Sequence, residues 1–368
     1  MINFGRTNTD RLALWWRNID KLLFISIIFL MFLGIFFAYT STSNIASERI
    51  YKTDHFLIIK HIFFALISFL ILSSLSLLDA KQIEKYCILG FIITAFLLLL
   101  VLIFGVEVKG SKRWINLIFF RFQPVEVYKP FFVLLCSLII SNSQIGDLKL
   151  RIFYSFCVLF FSLLLLLNQP DVGQSLLIFS VWLILIFVSG ISIGLAIFVG
   201  ISSTLLLFNE RFSYIFRRLK TFIDPSKGDN LQTQKALESI KQGGFTGRGI
   251  GEGVLKERVP EAHTDFVLAV IGEEFGILMI LIIFLTMTFI FLRIFTQFSM
   301  ENNSFRKLVL VGLSCLVYLQ SIINLGVTLN ILPNKGMTFP FISYGGSSMI
   351  GCAIIFGILL CFTKRKLS

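Results

Sequence analysis

The sequence predicts an all-α polytopic membrane protein of about ten transmembrane helices, both termini cytoplasmic, with one large extracytoplasmic loop between spans 7 and 8. Three observations predict it. Of the 368 residues, 56% are hydrophobic and only 15% charged, and the mean hydropathy is +0.86. A soluble domain carries about 25% charged residues. Apolar runs of the roughly 20 residues needed to cross a hydrocarbon core of about 30 Å recur along the chain. Both tails are basic, which places them on the cytoplasmic side.

The apolar runs fall at 22–42, 57–77, 86–105, 125–141, 152–167, 172–188, 191–208, 264–293, 307–330 and 341–362. Ser189 and Gly190 allow a tight turn between 172–188 and 191–208, since one very long helix would not fit the bilayer. The first run is too long for the core of a cleavable signal and has no clear small-x-small site, so it reads as a permanent span. The chain divides into an N-tail (1–21), a single membrane domain (22–363) containing the loop 209–262, and a short C-tail (364–368). Within the loop, "NLQTQKALESIKQ" has the spacing of a short amphipathic helix, expected to lie on the membrane.

The net charge of +12 is read as basic loops facing an anionic membrane and its lipids, not as a nucleic-acid surface. The six cysteines, Cys87, Cys136, Cys157, Cys315, Cys352 and Cys361, lie in apolar runs without a CxxC pair, so neither a zinc site nor a disulfide framework is expected. Two loops on the predicted outer face, 105–123 and 209–262, are rich in Lys and Arg although cytoplasmic loops usually carry that excess. An anionic ligand on that face would explain them.

Five stretches carry candidate chemistry. In "PEAHTDF" Pro260 ends one element, and Thr264 or Asp265 is placed to cap a helix running from about 263 to 293. Such a helix would be about 46 Å long, more than the core needs, so His263 to Glu274 would project above the bilayer. Asp265, Leu268, Gly272 and Glu273 would then share a face. A cap and a catalytic acid are both open readings of Asp265. In "KGSKRWINLIFFRFQPVEVYK" Lys112 and Arg113 stand beside Trp114, an interfacial pattern with cations suited to a phosphate or pyrophosphate. Glu126 and Lys129, three apart at the start of a span, form either a structural or a functional ion pair. "NQPDVGQ" breaks two apolar runs and places Gln169 and Asp171 near the same surface, though an ordinary polar turn would look alike. "GGFTGRGIGEG" has neither the Lys-Ser/Thr nor the preceding strand of a nucleotide loop, leaving a hinge or a close-packed loop. "LPNKGMTFPFISYGGSS" brackets Lys335 between prolines, and its Gly345, Gly346, Ser347 and Ser348 suit close helix packing.

In order along nearly the whole chain, "KRWINL", "FRFQPVEVYK", "QPDVGQSLL", "GGFTGRGIGEG", "PEAHTDFVLAVIGEEFG" and "NILPNKGMTFPFISYGGSS" resemble the SEDS family of membrane proteins, the FtsW and RodA group. The alanine before His263 and the "LPNKGM" string are more similar to FtsW than to RodA, and Val125 departs from the usual "QPSE". The resemblance implies a glycosyltransferase that polymerises lipid II into peptidoglycan strands on the outer face of the cytoplasmic membrane. It implies a septal role in cell division, beside a class B penicillin-binding protein and other division proteins. An elongation role or a lipid II flippase are the alternatives, and a non-catalytic scaffold is a third class. It points to Asp265 as the catalytic acid and gives weight to Arg113, Glu126, Lys129 and Asp171. Lys112, Arg113 and Lys335 are placed to neutralise pyrophosphate, with Gln123, His263, Glu273 and Ser347 in support. A divalent cation, magnesium or manganese, could share that task with Asp171 or Glu273 as an oxygen ligand.

Overall fold

The computed structural model describes residues 11–42, 54–108, 111–117, 120–191, 194, 231–253, 261–333 and 336–364. Helix α1 (Arg11–Asn18) lies within the expected N-tail and precedes α2 (Lys21–Thr42), α3 (Asp54–Leu77) and α4 (Ala80–Phe104). A small sheet follows: β1 (Val106–Val108), β2 (Ser111–Asn116) and β3 (Arg121–Phe122). Then come α5 (Pro124–Ser141), α6 (Leu148–Asn168), α7 (Val172–Val188), α8 (Leu231–Gly243), α9 (Val267–Met300), α10 (Ser304–Thr328) and α11 (Gly346–Phe362). Nine of the ten expected spans coincide with described helices, while 191–208 lies almost wholly outside the described residues, as does most of 209–262. Among the described helices seven have the length and apolar character to cross a membrane, and α7 and α11 are shorter apolar helices.

The helices sort into a centre and a rim. In α5 and α10, 67% and 72% of the most apolar stretch is buried, against 28% in α3, 33% in α4 and 28% in α9. The rim helices turn large apolar side chains outward, such as Ile88, Ile92, Phe96 and Ile103 on α4, the pattern of a lipid-facing surface. Helix α11 packs chiefly on α3 and α5, and α10 packs on α5, α7 and α9. A Cβ on Gly346 would fall 2.6 Å from the Phe64 ring, so the expected close packing at the start of α11 is met. All six cysteines are unbridged.

Both tails dock at one end of the bundle. Trp15 Nε1 donates to Ser76 Oγ at 2.9 Å, Arg293 Nε pairs with Asp20 Oδ2 at 2.8 Å, and Lys364 Nζ donates to the Leu78 carbonyl at 2.8 Å. The opposite end carries the sheet, the α6–α7 turn, the segment before α9 and the segment between α10 and α11, since successive helices alternate in direction.

Two expectations change. Helix α8 turns its apolar face to protein, not outward: Thr233, Ala236, Ser239 and Ile240 are buried, and the helix packs against α9 and α10. The helix expected from 263 to 293 instead runs Val267–Met300 and is broken at Gly276, whose φ of 79° and ψ of 176° are non-helical. A left-handed φ at that value favours glycine.

Candidate functional site

The glycine-rich stretch explains how that break is tolerated. At the kink Glu273 and Glu274 lose their helical donors, Ile277 and Leu278. Arg248 N donates to the Glu273 carbonyl at 3.0 Å and Gly249 N to the Glu274 carbonyl at 3.1 Å. Ile277 N in turn reaches the Gly244 carbonyl at 3.0 Å and Leu278 N the Phe245 carbonyl at 3.4 Å. The loop is a close-packed splint, and all four backbone groups are paired, as a low-dielectric setting demands. A Cβ on Gly276 would stand 2.2 Å from the Phe245 oxygen. Glu273 is fully buried under this loop, against Gly253. The helix starts only at Val267, beyond Asp265, so the expected shared helical face of Asp265 and Glu273 is not formed.

Asp265 precedes the helix. The segment 261–266 is a turn, opened by Glu261 at a φ of 59° and closed by Thr264 N and Phe266 N donating to the Glu261 carbonyl. Phe266 is the N-cap residue and makes no side-chain cap, so the capping reading of Thr264 and Asp265 is corrected. Asp265 is half-buried, and its Oδ2 lies 3.4 Å from where a Cβ on Gly336 would stand. Gly336 has a φ of 62°, so a side chain there would be both strained and close to the carboxylate. Asn324 Nδ2 donates to the Asp265 carbonyl at 2.8 Å and to the Met337 carbonyl at 2.6 Å. His263 is half-buried, and its carbonyl accepts from Tyr344 N at 2.9 Å. The turn is thus sewn to α10 and to the segment that precedes α11. Lys335 lies outside the described residues.

The stretch expected to be interfacial folds as a three-stranded antiparallel sheet, β1–β2–β3, with Glu107 opposite Lys112. Along β2 side chains alternate, leaving Lys112 exposed and Arg113 half-buried. Arg113 reaches the α6–α7 turn. Its Nε donates to the Gln169 carbonyl at 3.3 Å and lies 3.7 Å from Asp171 Oδ2, while its Nη2 donates to the Pro170 carbonyl. Gln169 is buried, and its amide donates to the Leu98 carbonyl at 2.9 Å. Asp171 is the N-cap of α7, accepting from Gln174 N at 3.3 Å. Burial raises the Asp171 carboxyl above the ordinary range, against the opposing pull of Arg113. At the far edge of the sheet, Gln123 N donates to Ser347 Oγ at 2.9 Å, joining two of the expected supporting residues.

Glu126 and Lys129 are deep in the bundle, 4% and 0% exposed, with Oε2 and Nζ 2.8 Å apart. Gln174 Nε2 donates to Glu126 Oε1 at 3.0 Å, and Lys129 Nζ donates to Gln320 Oε1 at 2.9 Å. Gln320 Nε2 then donates to the Thr338 carbonyl at 2.9 Å. One buried polar chain therefore runs from the Arg113–Asp171 turn through Gln174, Glu126, Lys129 and Gln320 to the segment beside Asp265. The sequence reading missed Gln174, Gln320 and Asn324. The signal was present: two amides four residues apart in an apolar span, where intramembrane polar groups are costly.

Among the described residues no three His, Cys, Asp or Glu side chains gather into a set able to hold a metal ion. Asp171 faces Arg113, and Glu273 is enclosed at the kink, so each carboxylate sits in a different set of contacts.

Fold and site together define a polytopic helical membrane protein with an acid and several cations gathered at one end of its bundle. The chain belongs to the FtsW/RodA/SpoVE family: that family's model, described as a cell cycle protein, matches residues 20–367. It is 33% identical over 371 residues to the probable peptidoglycan glycosyltransferase FtsW of Caulobacter vibrioides, covering 99% of this chain and 94% of that one. It is 34% identical over 356 residues to the protein of the same name from Haemophilus influenzae, covering 93% and 89%. Among solved structures, a chain of a peptidoglycan synthase complex that coordinates polymerization and crosslinking superposes with a TM-score of 0.73 at 23% identity, covering 94% of this chain and 97% of that one. The rod shape determining protein RodA of Thermus thermophilus superposes at 0.71 and 21% identity, covering 95% and 97%. At these identities the structures speak to the fold.

Proposed function

We propose that this chain is a peptidoglycan glycosyltransferase that polymerises lipid II on the outer face of the bacterial cytoplasmic membrane during septal wall synthesis. The observation that carries it is the placement of Asp265: a half-buried carboxylate on a braced turn, at the bundle end that also presents Lys112, Arg113 and Arg121. The FtsW name of the curated relatives supports the septal reading over an elongation role.

The reaction forms a bond between a sugar hydroxyl of one lipid II and the anomeric carbon at the lipid-linked end of the growing glycan strand. The bond from that carbon to the lipid pyrophosphate breaks, and the pyrophosphate leaves with the electron pair. The hydroxyl proton passes to Asp265, general-base help of about 10²–10⁴-fold. Exposed Lys112, with Lys335, offsets the charge developing on the departing pyrophosphate. Arg113 holds the 169–171 turn and lends its charge to the same face. Attack opposite the leaving group inverts the sugar carbon.

The partner reading is a class B penicillin-binding protein that crosslinks the strands, supported by the synthase complex among the structural relatives. The test is polymerisation of purified lipid II by the purified chain, with and without that transpeptidase. Glycan polymer from either preparation supports the assignment. Transport of labelled lipid II across liposomes with no polymer in either preparation would instead favour a flippase.

A further inference from the structure

We propose that Gln320 and Asn324 are positioning residues for this reaction, two amides on one face of α10 that set the height and orientation of Asp265. The inference rests on the reading of Asp265 as the base. Four residues apart, the two side chains stand one turn from each other. Both are buried, 2% and 1% exposed. Each grips a successive carbonyl of the segment after α10: Asn324 takes Met337 at 2.6 Å and Gln320 takes Thr338 at 2.9 Å. That segment includes Gly336, the residue against which Asp265 Oδ2 lies. The same Asn324 amide also holds the Asp265 carbonyl at 2.8 Å.

One amide nitrogen thus ties the base to the loop facing it. The bond pattern needs two N–H donors on one atom, which a carboxylate or an alkyl chain cannot supply. Gln320 adds the link to the interior, because its Oε1 accepts from Lys129 while its Nε2 holds the loop. A buried acid–base pair is thereby connected through one side chain to the wall of the site. Thr338 Oγ1 and Ser348 Oγ, 2.6 Å apart, continue the connection into α11.

The test uses the full-length chain in proteoliposomes with lipid II, and separates kcat from KM. Asn324→Leu is expected to lower kcat about 10–100-fold, the scale on which a misplacement near 1 Å acts, with KM changed less than about threefold. Asn324→Asp keeps the shape and supplies a donor only when protonated. Its kcat relative to wild type is expected to rise as pH falls, while the ratio for Asn324→Leu stays flat. Gln320→Glu, which keeps an acceptor for Lys129 but loses the donor to Thr338, is expected to lower kcat and not KM. If Asn324→Leu does not fold, the pH response of Asn324→Asp and the kcat of Gln320→Glu decide. Wild-type kcat in Asn324→Leu, or a flat ratio in Asn324→Asp, would overturn the proposal. Asp265→Asn is run in parallel. If it polymerises normally, the base assignment fails; if it is inactive while Asn324→Leu is not slowed, the positioning role alone fails.

Discussion

Lys129 and Gln320, 191 positions apart in sequence, meet at 2.9 Å in the interior of the bundle, and Glu126 closes on the same ammonium at 2.8 Å. The contact joins α5 to α10, the two most buried of the long helices. It makes one object of three stretches that look separate in the sequence.

Removing one partner of this pair is expected to be costly. Lys129→Met strands the Glu126 carboxylate in a site that excludes water, which costs about 3–5 kcal/mol. Combining it with Glu126→Gln restores part of that loss, because no net charge is then buried. Thermal unfolding in detergent measures both. Equal midpoints for the single and double variants would show that the pair is not coupled.

Arg113 is expected to act by its fork of donors as much as by its charge. Arg113→Lys keeps the cation but cannot hold the Gln169 and Pro170 carbonyls together. Polymerisation is predicted to fall about tenfold or more in Arg113→Lys and further in Arg113→Ala. Wild-type activity in Arg113→Lys would leave charge as the whole of its contribution.

The kink in α9 is expected to tolerate only glycine. Gly276→Ala meets the Phe245 carbonyl and takes a left-handed φ, a combined penalty of at least about 2–3 kcal/mol. Protease sensitivity of 244–250 is predicted to rise with it, because the loop's hydrogen bonds depend on the same geometry. An unchanged midpoint and digestion pattern would argue against the splint.

Asp171 gives a pH prediction with a definite sign. Burial lifts its carboxyl above the ordinary value near 4, so its contribution to stability is full below that value and is lost as pH rises through the raised one. Asp171→Asn does not titrate. The stability of wild type relative to Asp171→Asn is therefore predicted to fall as pH rises above about 4. A relative stability that rises with pH would mean that Arg113 outweighs burial.

Apolar run length alone located nine helices, because the demand to span a hydrocarbon core leaves a direct mark on composition. Glu126 and Lys129 were legible as a pair for the same reason: charges inside such runs must meet a partner. The site's internal wiring was less legible. Gln320 and Asn324 act through bonds to backbone carbonyls 18 and 13 residues away, respectively, and Gln320 also to Lys129, and no local spacing encodes those partners. The helix start was misplaced because Thr264 and Asp265 look like caps, while Glu261 closes the turn through its carbonyl. Asp265 and Glu273 do not share a helical face because the helix starts only at Val267. The kink further along was equally hidden. Gly276 betrays it only once the carbonyl of Phe245 is known to fill the space a Cβ would need.

The central claim is that Asp265 takes the proton. The most direct measurement is the single-turnover rate of lipid II polymerisation by purified Asp265→Asn, which keeps the volume of the side chain and removes its basicity. The account predicts a fall of about 10²–10⁴-fold with lipid II binding retained. Polymer formed at the wild-type rate would contradict it.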